Sequence, residues 1–194
     1  MPSERAKQVA GLLHDVDDYK LFPNNKNYEN LKMIMKSFSD EDVNLVIEMV
    51  SYVSCSKNGD TVPQRAIKYP WLLYPRYADR LEAIGYIGIA RCYQYSKGKI
   101  PLFTDDTKKP IDEHDLFNNI ATRDRFLKYN GTSDSFIDHF YDKLLRLADV
   151  DMNNDYFESV KLSRKQIMID FVMGYAKSGS LDVAYLKTLV LNNL

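Results

Sequence analysis

The chain has 194 residues, a formal net charge of −1, 45% apolar residues and 27% charged ones. That is ordinary for one globular domain of ~100–200 residues, and it carries no broad cationic footprint for nucleic acid or an acidic membrane. No apolar run reaches the ~20 residues that span a bilayer, Met-Pro-Ser-Glu-Arg at the start lacks an apolar signal core, and Cys55 and Cys92 have no CxxC spacing. A cytoplasmic protein with reduced thiols and no membrane partner is the expectation.

Taken in chain order, the pattern is helical nearly throughout. Residues 4–15 carry Ala6, Val9, Ala10 and Leu13 at helical spacing, behind the start signals Pro2 and Ser3. Phe22-Pro23-Asn24-Asn25 reads as a turn, and a second helix is predicted over roughly 27–37. Ser39 with Asp42 forms a capping box for a helix whose stripe is Val43, Val46, Ile47 and Val50. Residues 54–63 read as a loop. Residues 70–97 read as helical, with Pro75 in a first turn. Gly85 and Gly88 sit inside that pattern at ~1 kcal/mol each against alanine, which implies a closely packed neighbouring helix. A polar loop over 103–114 precedes predicted helices over 133–148, 154–177 and 181–191. No strand pair or internal repeat is visible, so the predicted fold is a single all-α domain.

Chemistry concentrates in a few places. His14-Asp15 ends the first apolar helix, and imidazole nitrogen beside carboxylate oxygen suits a divalent ion. Asp18 follows one helical turn later if the helix continues, placed to serve a water or a leaving group. The plain alternative is a chance His-Asp pair among solvated carboxylates. Asp79 stands in an otherwise apolar segment, and burying a lone carboxylate is costly unless it is paired or binds a metal. Arg76 and Arg80 offer a structural salt bridge as the competing explanation, and Arg91 and Glu82 are expected to pair in the same way. His139 and Lys143 share a helix face, with a helix-surface pair as the alternative, and His114 reads as surface.

Together these residues resemble a known family. Leu12-Leu13-His14-Asp15 and the distant Ala78-Asp79-Arg80-Leu81 are similar to the HD superfamily of metal-dependent phosphohydrolases. The runs His14 to Lys20, Asp79 to Arg91 and His139 to Leu145 further resemble, in order and spacing, its bacterial and fungal nucleotide pyrophosphohydrolase branch. The resemblance covers roughly residues 6–175. It implies an all-α HD helical bundle in which His14, Asp15 and Asp79 bind a divalent ion (Mn, Co, Ni, Fe, Zn or Mg). Asp18 would act on the water or the leaving oxygen, and Lys20, His139 and Lys143 would hold the phosphates of a small substrate, a nucleotide above all.

Two departures stand out. The family's first metal-binding histidine lies on a helix upstream of the His-Asp pair, and no histidine precedes His14 here. That implies a truncated start, a misplaced one, or a reduced protein whose weakened metal site water or phosphate completes. Tyr77 stands where many branch members carry Asp. Three readings follow: a metal-dependent phosphohydrolase, a non-catalytic HD-type binding or regulatory module with an incomplete metal site, or a degenerate product. The missing histidine favours the latter two, and joint retention of His14, Asp15, Asp18 and Asp79 favours the enzyme.

Overall fold

Helix follows helix along the chain, and the computed structural model, which describes residues 4–18 and 21–193, contains no strand among them. The protein is all-α, as its periodicity predicts. No helix among the described residues is long and apolar enough to cross a membrane. Cys55 and Cys92 are both free thiols. The expected start signals Pro2 and Ser3 lie outside the described residues. The chain divides into two compact units, Met1–Asp79 and Arg80–Leu194.

The first unit contains α1 (Glu4–Leu12), α2 (Glu29–Ile34), α3 (Asp40–Ser51), α4 (Cys55–Asn58) and α5 (Gln64–Lys68). A 3₁₀ turn (Pro70–Leu73) then leads into α6 (Tyr74–Glu82), whose residues from Arg80 on belong to the second unit. The predicted cap of α3 is present: Ser39 Oγ accepts the Asp42 N–H at 3.2 Å and donates to the Asp42 carboxylate at 3.0 Å. The buried stripe of α3 is Val46, Met49 and Val50, and the buried Ala6 and Ala10 let α1 lie close against that helix. Arg76 is buried. Its Nε donates to the Tyr52 carbonyl at 2.6 Å and its NH1 to the Thr61 carbonyl at 2.9 Å. A cation so placed satisfies carbonyls left over at the end of α3 and in the following loop.

Several boundaries differ from the sequence pattern. The first helix stops at Leu12, and residues 13–17 form turns. The loop predicted over 54–63 contains the short α4. Residues 70–97 are not one helix, because α6 ends at Glu82 and the next helix begins at Gly85.

In the second unit, α7 (Gly85–Ser96) is packed by α11 (Asp155–Ser178) and α12 (Val183–Asn193). Between them come α8 (Glu113–Asp115) with a π turn (Leu116–Ile120), α9 (Arg123–Leu127), and α10 (Phe136–His139) with a second π turn (Phe140–Leu144). Gly85 has φ +75°, a left-handed conformation that breaks the helix, and a Cβ there would meet Arg164 of α11 at 3.0 Å. Gly88 is held small by the Ala83 carbonyl oxygen, which a Cβ would approach to 2.3 Å. One glycine thus admits a neighbouring helix and the other admits the preceding turn. Glu82 pairs with Arg164 at 3.1 Å, whereas Arg91 reaches only the Glu82 carbonyl at 3.5 Å.

Asn154 caps α11 by accepting the Phe157 N–H, and Gly179 at φ +68° ends it. Tyr156 is 71% exposed, and the buried positions of α11 are Met168, Ile169, Val172 and Tyr175. The helix predicted over 133–148 begins only at Phe136, behind Ser135, whose hydroxyl accepts the Asp138 N–H. Phe136, Phe140 and Phe171 meet there in mutual ring contacts of 5.1–6.0 Å.

Candidate metal centre

The end of α1 decides where the His-Asp pair points. Leu13 N–H still bonds the Val9 carbonyl at 2.9 Å, but Val16 and Asp18 donate three residues back, to Leu13 and Asp15. The helix has tightened into turns, which is how leftover carbonyls at a helix end are commonly used. One of these carbonyls, on Gly11, accepts a hydrogen bond from His14 Nδ1 at 2.7 Å. Fixing Nδ1 in this way leaves Nε2 as the nitrogen that faces away from the backbone, an arrangement typical of metal-binding histidines.

His14 Nε2 lies 3.2 Å from Asp15 Oδ2 and 3.6 Å from Asp79 Oδ1, although Asp79 belongs to α6 far along the chain. Ligands of one ion at ~2.0–2.2 Å have tips no more than about 4 Å apart, and both of these His14 contacts fall within that reach. The side chains of His14, Asp15 and Asp79 are 24%, 61% and 36% exposed, so the cluster opens to solvent. Asp79 is therefore half-buried and ion-paired, not the deeply buried carboxylate that its apolar neighbours suggest.

The Asp79 carboxylate, opposed by partial burial and helped by the Gly11 carbonyl and the charge of Asp15, pushes the His14 pKa up to about 9. At neutral pH the ring carries a proton and the three side chains form an ion-paired triad. Among the described residues, no group of three or more His, Cys, Asp or Glu side chains is arranged so that it could hold a metal ion. An ion here would enter by displacing the His14 proton and spreading the triad around itself, and one imidazole with two carboxylates is a donor set that fits a divalent transition metal.

Asp18 does not lie one helical turn beyond His14, because the helix has ended. It sits half-buried at the exit of the turns, where its carbonyl accepts the Leu21 and Phe22 N–H groups at 3.0 and 2.8 Å. Lys20 lies outside the described residues.

His139 and Lys143 belong to the second unit. His139 is largely buried, its Nδ1 lying 3.3 Å from the Tyr129 hydroxyl and 3.2 Å from the Ser133 hydroxyl. Burial, and then the nearby Lys143 charge, push its pKa down to about 4. The ring is neutral at physiological pH, so it can hydrogen-bond a phosphate but brings no counter-charge. Lys143 Nζ sits 5.8 Å from the Tyr129 ring centroid, its positive charge against the ring face. His114 is exposed, as expected.

Sequence reasoning missed the residue that holds the turn bearing His14 and Asp15. Asp17 accepts the Asn30 N–H at 3.0 Å and the Leu31 N–H at 2.9 Å, capping α2 from a distance, and also accepts Asn25 Nδ2 at 3.1 Å. Asn30 Nδ2 returns a bond to the Val16 carbonyl at 2.7 Å. In the sequence Asp17 is one of three closely spaced acids, and nothing in the spacing separates this cap from its neighbours. The only available signal was that α2 carries no local capping side chain, Tyr28 standing at its N-cap.

No protein-family model matches the chain. It is similar to two curated proteins that both carry the name uncharacterized. One, L803 of Acanthamoeba polyphaga mimivirus, is 38% identical over 188 residues, covering 87% of this chain and 75% of that protein. The other, YpgQ of Bacillus subtilis, is 27% identical over 173 residues, covering 85% and 68%. A crystal structure of a Lactobacillus plantarum protein, solved as a structural-genomics target, shares the fold at a TM-score of 0.61 and 24% identity, covering 93% of this chain and 78% of its own. At 38% identity over most of both sequences, the chain belongs to the family of the mimivirus protein L803.

Proposed function

We propose that the protein is a metal-dependent phosphohydrolase of HD type, acting on a nucleotide or another small phosphate ester. One observation carries the reading: His14 Nε2 meets the carboxylates of both Asp15 and the sequence-distant Asp79 within 3.6 Å. A divalent ion bound there would supply Lewis acidity and a water of lowered pKa. His14 presents Nε2 because Gly11 holds Nδ1. Asp15 and Asp79 supply the negative charge that a cation needs, and Asp17 keeps the turn in register through α2. Asp18 takes or gives the proton at the attacking water or the leaving oxygen. Lys20, His139 and Lys143 are given to the substrate's phosphates by the family resemblance alone, His139 being a neutral hydrogen-bonding ring.

The test is phosphate release from a nucleotide panel, with and without added Mn, Co or Ni, by the chain and by Asp79→Ala. Metal-dependent release that Asp79→Ala abolishes supports the reading. Release that is metal-independent and equal in both proteins sinks it.

A second reading is favoured by the protonated state of His14. A triad whose charges already satisfy one another also works as a structural tie between the turn and α6, as in a non-catalytic binding or regulatory module. In that case the protein would take up no metal, and Asp79→Ala would change stability alone.

A further inference from the structure

Asn-Gly occurs twice in the chain, at Asn58-Gly59 and at Asn130-Gly131. In such a pair the backbone nitrogen of the glycine can attack the asparagine side-chain amide, because no Cβ shields that nitrogen. The two pairs share this local chemistry, and the fold around each decides whether it reacts.

At the first pair both reacting groups are occupied. Asn58 ends α4, and its Nδ2 donates to the Ser51 carbonyl at 2.9 Å and to the Ser54 carbonyl at 3.1 Å. The Gly59 N–H donates to the Cys55 carbonyl at 2.8 Å. The attacking nitrogen is thus tied into the last helical turn, the departing nitrogen is held by two acceptors, and ring closure would require α4 to unwind.

At the second pair the arrangement is reversed. Asn130, Gly131 and Thr132 are exposed and lie in the loop between α9 and α10. Neither the Gly131 N–H nor Asn130 Nδ2 has a hydrogen-bond acceptor among the described residues, and a Cβ at Gly131 would meet nothing within 4 Å. Only the side-chain oxygen is engaged: Asn130 Oδ1 accepts the Thr132 N–H at 3.1 Å and the Thr132 hydroxyl at 2.8 Å. These donors polarise the amide carbonyl and stand where negative charge develops on the oxygen during attack.

We propose that Asn130 is a site of spontaneous covalent modification, promoted by Thr132. The Gly131 nitrogen loses its proton to solvent and forms a bond to Asn130 Cγ, and the carbonyl electron pair moves to Oδ1 between the two Thr132 donors. Collapse of this intermediate breaks the Cγ–Nδ2 bond, and the nitrogen takes a proton from solvent and leaves as ammonia. Water then opens the cyclic imide at either carbonyl, giving aspartate or isoaspartate at position 130. No oxidant, reductant or enzyme takes part. The product brings a negative charge into the loop whose Tyr129 and Ser133 hydroxyls meet His139 Nδ1, and the isoaspartyl form also lengthens the main chain there. The inference is independent of metal at His14 and of any hydrolytic activity.

Peptide mapping by mass spectrometry tests it, on the full chain aged in mildly alkaline buffer made with heavy-oxygen water. In the folded protein position 130 is expected to convert at least about tenfold faster than position 58, where the hydrogen bonds of Asn58 and Gly59 must break first. The converted peptide should carry a heavy oxygen and contain isoaspartate, and conversion should quicken as pH rises. In concentrated urea the two positions should react at similar rates, because the fold alone distinguishes them. Thr132→Val, which keeps the N–H and loses the hydroxyl at an exposed position, should slow conversion at Asn130 about threefold or more. Conversion at Asn58 as fast as at Asn130 in the folded chain, a difference between them that persists in urea, or an unchanged rate in Thr132→Val would each overturn the proposal.

Discussion

Asp17 Oδ2 accepts the backbone N–H of Leu31 at 2.9 Å, tying the turn that bears His14 and Asp15 to the start of α2. The same carboxylate serves Asn30 and Asn25, so one side chain satisfies three donors. Replacing Asp17 by Ala removes all three acceptors and is expected to cost about 1–3 kcal/mol, the range for a lost cap plus unsatisfied part-buried donors. Urea unfolding of the two proteins measures this. The metal centre should suffer beyond the global loss, because its turn is no longer anchored; a variant as stable as wild type would remove Asp17 from the account.

The His14 triad makes a pH prediction for the metal-free protein. Its folded pKa, about 9, lies above the ordinary 6.5, so the folded state binds the proton more tightly than the unfolded chain does. The resulting stabilisation is fully present below pH 6.5 and is lost as pH rises through about 9. Its size is on the order of 2–3 kcal/mol for a shift of this extent at a mostly shielded group. Thermal melts from pH 6 to pH 10, compared between wild type and His14→Gln, should converge at the alkaline end. A constant difference across that range would contradict the assignment.

His139 predicts the opposite trend. Its folded pKa of about 4 lies below 6.5, so the unfolded chain takes up the proton first. The contribution is fully present above pH 6.5 and is lost as pH falls toward 4, by up to about 3 kcal/mol. Lys143 adds to the penalty on the charged ring and Asp142 partly offsets it. His139→Asn should flatten this acid limb, read by urea midpoints between pH 7 and pH 4.

Gly88→Ala tests the close approach of α7 to the turn that precedes it. The new Cβ would stand 2.3 Å from the Ala83 carbonyl oxygen, a backbone atom that cannot swing aside as a side chain would. A loss of about 2–3 kcal/mol or more is expected, at the upper end of overpacking effects. Gly11→Ala, with nothing within 4 Å of its Cβ, serves as the control and should be near neutral or slightly stabilising.

Local signals account for what the sequence revealed. Ser39 before Asp42, Asn154 before α11 and Gly179 after it are all caps, and each works through neighbours within a few residues. The wide pairing of His14 with Asp79 was legible only through the resemblance of Leu12-Leu13-His14-Asp15 and Ala78-Asp79-Arg80-Leu81 to the HD superfamily. The misses depend on atoms distant in sequence or on small backbone changes. The π turn after His139 leaves the apolar spacing of Phe136, Phe140 and Leu144 almost intact, and Gly85 looked like a tolerated helix glycine until its positive φ broke the helix. Asp18 was placed by assuming that α1 continued, and the turn that follows Leu12 is imposed by packing and by Asp17, not by any local breaker.

The central claim is that His14, Asp15 and Asp79 form one divalent-ion site, and calorimetric titration of Mn²⁺ into the metal-free chain, its Asp79→Ala variant and its His14→Ala variant tests it most directly. The account predicts one site in the wild-type chain, with about one proton released per ion near pH 7 as His14 deprotonates. It also predicts affinity lowered about tenfold or more in each variant. Equal affinity in all three proteins, or no saturable binding by the wild-type chain at millimolar metal, would contradict it.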